Sequence, residues 1–249
     1  MESGKYKKLK KIDIEGFQMY VRDKEANGLH DGFCEPEETK FIKNIVQPDW
    51  TCMDIGANIG YFTILMAKRC VFVYSFEPEP TNFMLLENNI ELNGLTGKVG
   101  PIDVAVTEET DVYDGEQKLY LSNDDPGMHR VYKSKWCDPN PIEVESIKID
   151  DMGYEVMKIN LIKMDIEGAE YGALKGMVEL LKRDKPLIIM EFHPLSIIEY
   201  GVDPRKVYDF IKKLGYTIRL IPNITQPLTY EELYVLTSDP SGGRNILCQ

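Results

Sequence analysis

Apolar residues recur along this chain in short runs that alternate between strand spacing and helix spacing. From residue 51 onwards, short apolar runs alternate with longer runs at helical spacing. This order predicts a parallel sheet with helices packed on both faces, a doubly wound α/β fold. The predicted strands are residues 51–55, 72–76, 99–104, 160–164, 187–191, 216–220 and 233–237.

The segments between these strands predict helices. Residues 60–68 are almost wholly apolar, so we expect that helix to be buried between two layers. Amphipathic patterns predict further helices over residues 83–92, 170–181 and 204–214. Asn93-Gly94 and Gly215 are typical of helix ends.

Two regions do not follow this alternation. In residues 11–21, apolar and polar side chains alternate on both sides of Glu15-Gly16, which predicts a β-hairpin. In residues 36–47, the apolar residues have helical spacing. We therefore interpret residues 1–48 as an N-terminal cover on a main domain of residues 49–249. Residues 107–149 interrupt the main domain with predicted strands at 118–121 and 142–149.

We interpret residues 107–149 as a β insertion after the third strand of the sheet. Its central loop, residues 122–130, is rich in turn formers and includes His129 and Arg130. Loops often carry functional residues, so we expect this one to reach over the binding crevice, with a plain surface hairpin as the alternative. His129 and His30 lie in loops and are expected to face solvent. The alternative for His129 is a place at the substrate mouth together with Arg130.

Charge and cysteine content narrow the class of partner. Among the 249 residues, 29 are Lys or Arg and 41 are Asp or Glu, for a net charge of −12. Nucleic-acid binding normally needs a basic surface, so nucleic acid is disfavoured. The five cysteines form no CxxC pair, which favours reduced thiols in a cytoplasmic protein. The sequence shows neither a signal-peptide pattern nor an apolar run as long as a membrane span, so we expect no membrane association.

A glycine-rich run, Asp54-Ile-Gly56-Ala-Asn58-Ile-Gly60-Tyr61, follows the first strand of the sheet. Such a turn lets the backbone approach a nucleoside cofactor closely. An acid two residues before the first glycine repels a pyrophosphate and attracts a cationic amino or sulfonium group. The run therefore favours S-adenosylmethionine over NAD(P).

Two further carboxylates are candidate cofactor contacts. Glu77 lies 23 residues after Asp54, at the end of the second strand, and suits the two hydroxyls of a ribose. Asp103 ends the third strand and is a candidate acceptor for the adenine amino group. The predicted cofactor-binding residues are Asp54, Gly56, Asn58, Gly60, Tyr61, Glu77 and Asp103.

Residues 54–63, 75–80, 89–94 and 162–170 together resemble the successive motifs of the FkbM-type methyltransferase family, and residues 144–151 resemble the segment before its DxEG motif. The resemblance implies a mostly parallel seven-stranded sheet of the Rossmann-like class I methyltransferases. It also implies S-adenosylmethionine as donor and an oxygen of a sugar, polyketide or other small metabolite as acceptor. Asp54, Gly56, Asn58, Gly60 and Glu77 then correspond to cofactor contacts.

Polar residues at two other strand ends are candidates for the chemistry. Asp165 and Glu167 follow the 160–164 strand, which is expected to adjoin the Asp54 strand, and Glu191 and His193 follow the next one. His193 titrates near neutrality and suits a general base, with a structural histidine as the alternative. The predicted catalytic residues are His193, Asp165 and Glu167.

Several alternatives stay open at this point. Asp165, Glu167, Glu191 and His193 together would also suit a divalent cation such as Mg²⁺, which would make a metal-assisted O-methyltransferase. The acceptor is expected to be a small molecule or a glycan. A non-catalytic adenosylmethionine-binding protein of the same fold is a further alternative, and an NAD(P) oxidoreductase is disfavoured by the Asp54–Asn58 turn.

Overall fold

A computed structural model describes residues 9–23, 35–109, 117–122, 125–153, 157–238 and 243–249. His30, Asn123 and Asp124, which were predicted to lie in loops, are outside these ranges. In chain order, the elements are β1 (Leu9–Ile14), β2 (Phe17–Arg22), α1 (Pro36–Ile45), β3 (Thr51–Ile55), α2 (Tyr61–Ala67), β4 (Phe72–Phe76), α3 (Pro80–Leu92), β5 (Val99–Ile102), β6 (Ala105–Val106), β7 (Gln117–Leu119), β8 (Ile142–Val144), β9 (Ser146–Ile147), β10 (Leu161–Met164), α4 (Glu170–Lys175), α5 (Val178–Asp184), β11 (Leu187–Phe192), α6 (Pro194–Glu199), α7 (Pro204–Lys213), β12 (Ile218–Leu220), α8 (Tyr230–Thr237) and β13 (Arg244–Cys248).

A seven-stranded sheet in the order β12-β13-β11-β10-β3-β4-β5 forms the centre of the protein. Neighbouring strands are parallel except for β13, which runs antiparallel to β11 and β12. The predicted α/β fold with a mostly parallel, doubly wound sheet is therefore confirmed.

Helices cover both faces of this sheet. Every residue of β3 and of α2 is buried, which confirms that the apolar 60–68 segment lies between layers. One apolar cluster includes α2, α3 and the β1–β2 hairpin, and the other includes α4, α5 and α7. Burial of these two faces stabilises the sheet that carries the site.

The predicted N-terminal hairpin is present and packs on α3. The Asn89 side chain accepts a hydrogen bond from the Tyr20 N–H at 2.6 Å and donates one to the Tyr20 carbonyl at 3.1 Å. Asn93 makes the same pair of bonds with Gln18, at 3.1 and 2.7 Å. Two asparagines one helical turn apart therefore satisfy backbone groups of β2 that face no second strand.

One predicted strand is wrong. Residues 233–237 belong to helix α8, which begins with a capping box: the Glu232 N–H donates to the Thr229 hydroxyl, and the Glu232 carboxylate accepts from the Thr229 N–H. Val235 is 77% exposed, so this apolar run marks no core strand. The seventh strand is β13, whose Ile246, Leu247 and Cys248 are buried between β11 and β12.

Other boundaries are displaced for local reasons. The predicted 170–181 helix divides into α4 and α5 at Gly176, where a Cβ would lie 2.0 Å from the Thr107 carbonyl oxygen. The third strand ends at Ile102, after which β6 leaves the sheet and pairs with β9 of the insertion. The insertion strands are present as the antiparallel pair β7–β8. Among the described residues, no helix has both the length and the apolarity needed to cross a membrane.

Candidate active site

The crevice beyond the carboxyl ends of β3 and β10 lies where the order of strands along the sheet reverses. From β3 the chain builds outwards through β4 and β5, whereas β10 and β11 lie on the other side of β3. Ligands of open α/β sheets bind at such a switch point, outside the carboxyl ends of the strands. A cavity of about 340 Å³ lies here, between the glycine-rich turn, the loop after β10 and the insertion.

The glycine-rich turn packs directly against the loop after β10. Gly56 has a φ of 82°, and a Cβ on it would lie 2.0 Å from the Asp165 carbonyl oxygen. The Gly56 and Ala57 N–H groups both donate to the Phe76 carbonyl, at 3.0 and 2.9 Å. Position 56 therefore requires glycine, because a side chain would separate the two loops.

Asp54 is fully buried beneath this cavity. Its Oδ2 accepts a hydrogen bond from the Thr63 hydroxyl at 2.5 Å, whereas its Oδ1 has no partner among the described residues. Burial raises the pKa of Asp54, against the opposing influence of Lys163. A buried acceptor left without a donor is costly, so Asp54 is suited to a ligand that donates hydrogen bonds or carries positive charge.

Glu77 lines the same cavity and is 5% exposed. Its Oε2 accepts from the Asn58 N–H at 2.8 Å, and its Oε1 accepts from the Glu79 N–H at 3.0 Å. Burial raises the pKa of Glu77 to about 7, although these hydrogen bonds oppose the rise. A carboxylate offers about four acceptor sites, so capacity remains for the hydroxyls of a ligand.

The other predicted cofactor contacts divide into two groups. Asn58 and Tyr61 line the cavity, and the Asn58 Oδ1 is buried without a hydrogen-bond partner in the described part of the chain. Gly60 has a φ of 96° and caps α2, and its Cβ position lies 2.7 Å from Leu86 Cδ1. Asp103 is exposed and is not among the described residues that line the cavity, because the chain has already left the sheet at Ile102.

Lys163 is a lining residue that the sequence reasoning missed. It is 3% exposed in the middle of β10, donates to Asp165 Oδ2 at 3.1 Å and lies 4.7 Å from the centre of the Phe62 ring. Burial alone would lower the pKa of Lys163, but Asp165, Glu35 and Asp54 outweigh it and raise this pKa above its usual value. A lysine inside an otherwise apolar strand was the available signal.

Three carboxylates converge at the other side of the crevice. One oxygen each from Asp165, Glu167 and Glu191 lies within 4.8 Å of the others. Burial raises the pKa of Glu167 to about 8 and that of Glu191 to about 9. Two of the three acids have a buried cationic partner, since Asp165 pairs with Lys163 and Glu167 accepts from Arg130 Nη2 at 3.2 Å.

His193 is separate from this group. Its Nδ1 is 2.8 Å from the Ser196 hydroxyl, and its Nε2 is buried without a described partner. Burial, and to a lesser extent Arg130, lower the pKa of His193. His193 is not among the described residues that line the cavity. The structure therefore brings together Asp165, Glu167 and Glu191, but not His193, of the four residues considered for a metal.

The insertion loop reaches over the cavity, as predicted. Asp125, Pro126, Gly127, His129 and Val131 line it, and Asn82 Nδ2 donates to the Pro126 carbonyl at 3.0 Å. His129 Nδ1 accepts from the Ser122 N–H at 2.9 Å, and burial lowers the pKa of His129.

Arg130 does not lie at the mouth of the cavity, which corrects the expectation for it. It is 4% exposed and forms ion pairs with Glu167 and Glu199, at 3.2 and 3.5 Å. Its Nη1 also donates to the Ser134 hydroxyl at 2.8 Å. Arg130 therefore ties the insertion to the loop after β10 from below the surface.

The strand order, the glycine turn at the switch point and the acids at the carboxyl ends of β3, β4 and β10 define a Rossmann-like methyltransferase fold. The model of the methyltransferase FkbM domain matches residues 54–218. The chain belongs to this family, which confirms the resemblance seen in its motifs.

Curated relatives and solved structures agree with this assignment. The chain is 27% identical over 204 residues to the hexuronic acid methyltransferase AglP of Haloferax volcanii, covering 81% of this chain and 76% of that one. It is 25% identical over 231 residues to the 2-O-methyltransferase NoeI of Sinorhizobium fredii, covering 85% and 90%. The FkbM methyltransferase structure from Methylobacillus flagellatus aligns with a TM-score of 0.51 and 16% identity, over 92% of this chain and 56% of that chain. A putative methyltransferase from Streptococcus mutans, solved in complex with SAH, aligns with a TM-score of 0.51 and 12% identity, over 87% and 98%.

Proposed function

We propose that the protein transfers a methyl group from S-adenosylmethionine to a hydroxyl oxygen of a sugar or another small metabolite. The observation that carries the proposal is the pair of buried acids Asp54 and Glu77 in one cavity at the switch point, with Asp54 Oδ1 lacking a donor among the described residues. The pair suits a cationic, hydroxyl-bearing nucleoside. The activities for which the two relatives are named support a sugar acceptor and an oxygen nucleophile.

The chain's own residues have two tasks in such a reaction. The bound donor supplies an electrophilic methyl group on a sulfonium: a C–O bond forms as the C–S bond breaks, adenosylhomocysteine leaves, and the hydroxyl proton goes to a base. The protein must hold the hydroxyl in line and accept that proton. Asp54 and Glu77 hold the donor, while Asp165 and Glu167 face the crevice on the acceptor side.

We assign to Asp165 the role of the general base that accepts the hydroxyl proton. Its carboxylate lines the cavity and is held by Lys163, so its orientation is set before the acceptor binds. Glu167 is held by Arg130 and is assigned to orienting the acceptor. His193, the other candidate base, is occupied by Ser196 at Nδ1 and is not among the described residues lining the cavity.

The direct test is ligand binding followed by transfer. We expect S-adenosylmethionine and adenosylhomocysteine to raise the melting temperature, whereas NADH leaves it unchanged. With labelled S-adenosylmethionine, methyl transfer to a component of a metabolite extract is expected. No stabilisation by either adenosyl compound would overturn the proposal, and binding without transfer to any acceptor would establish the non-catalytic alternative.

Donor affinity is expected to increase about tenfold between pH 6 and pH 8. Glu77 has a pKa of about 7 without ligand because of burial, and a cationic donor favours its ionised form. Binding then releases a proton, so affinity rises with pH across the window around 7. Calorimetry in buffers of different ionisation enthalpy measures the release, and proton uptake would contradict it.

Removal of divalent metals is expected to leave turnover unchanged within about twofold. Lys163 and Arg130 already compensate two of the three clustered carboxylates, and the pKa of about 9 keeps the third, Glu191, protonated at neutral pH. The cluster therefore has little need of an added cation. The measurement compares activity after treatment with EDTA and after addition of Mg²⁺. Lost activity that Mg²⁺ restores would instead establish the metal-assisted mechanism.

A further inference from the structure

A second cavity adjoins the one that we assign to the donor. It has a volume of about 400 Å³ and lies between the start of α1, the end of β11 and the start of β13. Glu35 and Asp165 line both cavities. A molecule in the second cavity therefore lies next to Asp165, the residue to which we assign the acceptor proton.

Gly243 keeps this second cavity open beside Glu191. A Cβ at position 243 would lie 2.6 Å from the Cβ of His193 and 2.8 Å from Glu191 Oε1. A side chain there would collide with both His193 and Glu191, so these neighbours would have to move. The absence of a side chain at 243 thus preserves room next to a polar group that a ligand can contact.

Acidic residues make up most of the lining of the second cavity. Glu35, Glu37, Glu38, Asp165 and Glu191 contribute carboxyl groups, and Arg244 contributes the cation among the described lining residues.

An unused acceptor belongs to the same lining. Asn245 Nδ2 donates to Glu35 Oε2 at 2.9 Å, which leaves the Asn245 Oδ1 buried with no partner among the described residues. A buried amide oxygen without a donor is costly unless a ligand supplies one. Hydroxyl groups are donors of the right kind.

A negatively charged group is unfavourable in the second cavity. Burial raises the pKa of Glu35 to about 7 and also raises that of Glu38. Lys163, a buried cation that lines the first cavity, is engaged by Asp165. An acceptor with a carboxylate or phosphate would add another negative charge beside these groups, which costs free energy at short range in a partly buried site.

We propose that this second cavity is the acceptor site and that it selects a hydroxyl-rich sugar carrying no negative charge. The inference rests on the methyl-transfer function proposed above and specifies its substrate class. It separates this chain from its relative AglP, which is named for methylation of a hexuronic acid.

The test uses matched acceptors that differ only at C6. Methyl glucoside, galactoside and mannoside are compared with the corresponding methyl uronosides, using labelled S-adenosylmethionine at low ionic strength. We expect at least one neutral glycoside to be methylated with a kcat/KM at least tenfold above that of its uronoside. In Glu37→Gln this ratio should fall severalfold, since an exposed carboxylate of the lining is removed, while the Kd for adenosylhomocysteine stays the same.

A second pair of variants tests the location. Gly243→Ala is expected to raise the KM for the neutral glycoside at least fivefold without changing the Kd for adenosylhomocysteine. Gly97→Ala is the matched control, because no heavy atom lies within 4 Å of its Cβ position. Equal or better use of a uronoside, an unchanged KM in Gly243→Ala, or donor binding without transfer to any neutral glycoside would overturn the inference. Failure to bind adenosylhomocysteine would instead overturn the proposed function on which it rests.

Discussion

Replacing Glu77 with glutamine is expected to weaken adenosylhomocysteine binding by about 10- to 100-fold. The Glu77 carboxylate accepts backbone N–H groups from Asn58 and Glu79 on its two oxygens. A glutamine amide offers one oxygen and one NH₂ group, so one of these N–H donors would face another donor. A ribose hydroxyl of the ligand would also lose its charged acceptor, and a hydrogen bond to a charged group contributes about 1.5–3 kcal/mol, which corresponds to this range of affinity.

Isothermal titration calorimetry with adenosylhomocysteine measures the effect. Glu87→Gln is the matched control, since Glu87 is an exposed acid on the following helix and its replacement removes the same charge. The melting temperature of each unliganded variant separates loss of binding from loss of fold. Equal affinities for Glu77→Gln and the wild type, or equal weakening in Glu87→Gln, would remove Glu77 from the donor site.

Asp165→Asn is expected to lower kcat by about 10²- to 10⁴-fold while the affinity for the donor changes by less than threefold. General-base catalysis contributes a factor of this size, and asparagine keeps the shape of the side chain but cannot take the proton. The amide oxygen of the substituted side chain can still accept from Lys163, so the loop after β10 should keep its position. His193→Gln, in contrast, is expected to lower kcat less than tenfold, because His193 is not among the described residues lining the donor cavity.

Single-turnover measurements with labelled donor compare the two variants under saturating conditions. The affinity of each variant for adenosylhomocysteine adds a second readout: an unchanged Kd beside a large loss in kcat separates a loss of chemistry from a loss of structure. The reverse result, with a large loss in His193→Gln and little in Asp165→Asn, would assign the base to His193.

Most of the sheet and the donor side of the site follow from local sequence patterns. The buried strand Thr51–Ile55, the glycine turn and the acid after β4 lie close together in sequence, and their spacing alone predicts the crevice. The adjacency of Asp54 and Asp165 was also predicted, since the carboxyl ends of parallel strands meet at one edge.

One missed feature was local, whereas the others depend on distant contacts. Residues 233–237 are apolar enough for a strand, but the capping box from Thr229 to Glu232 was a local signal for a helix at this position. Lys163 occupies a core position of β10, and only the surrounding carboxylates of Asp54, Asp165 and Glu35 explain why a charge is tolerated there.

The second cavity is the clearest example of this limit. It joins Glu35 to Gly243 and Asn245, which lie more than 200 residues away along the chain. No periodicity or motif relates these positions, because their proximity follows from the antiparallel insertion of β13 between β11 and β12.

The contact between Gly56 and the Asp165 carbonyl has a consequence for how this enzyme's specificity can change. The donor turn and the loop that carries the proposed base touch through main-chain atoms, so their separation is a property of the backbone. Side chains around the acceptor can then be exchanged without altering the alignment between methyl group and base. Substitution of side chains around the acceptor can therefore admit new acceptors, while the alignment between the methyl group and the base stays the same.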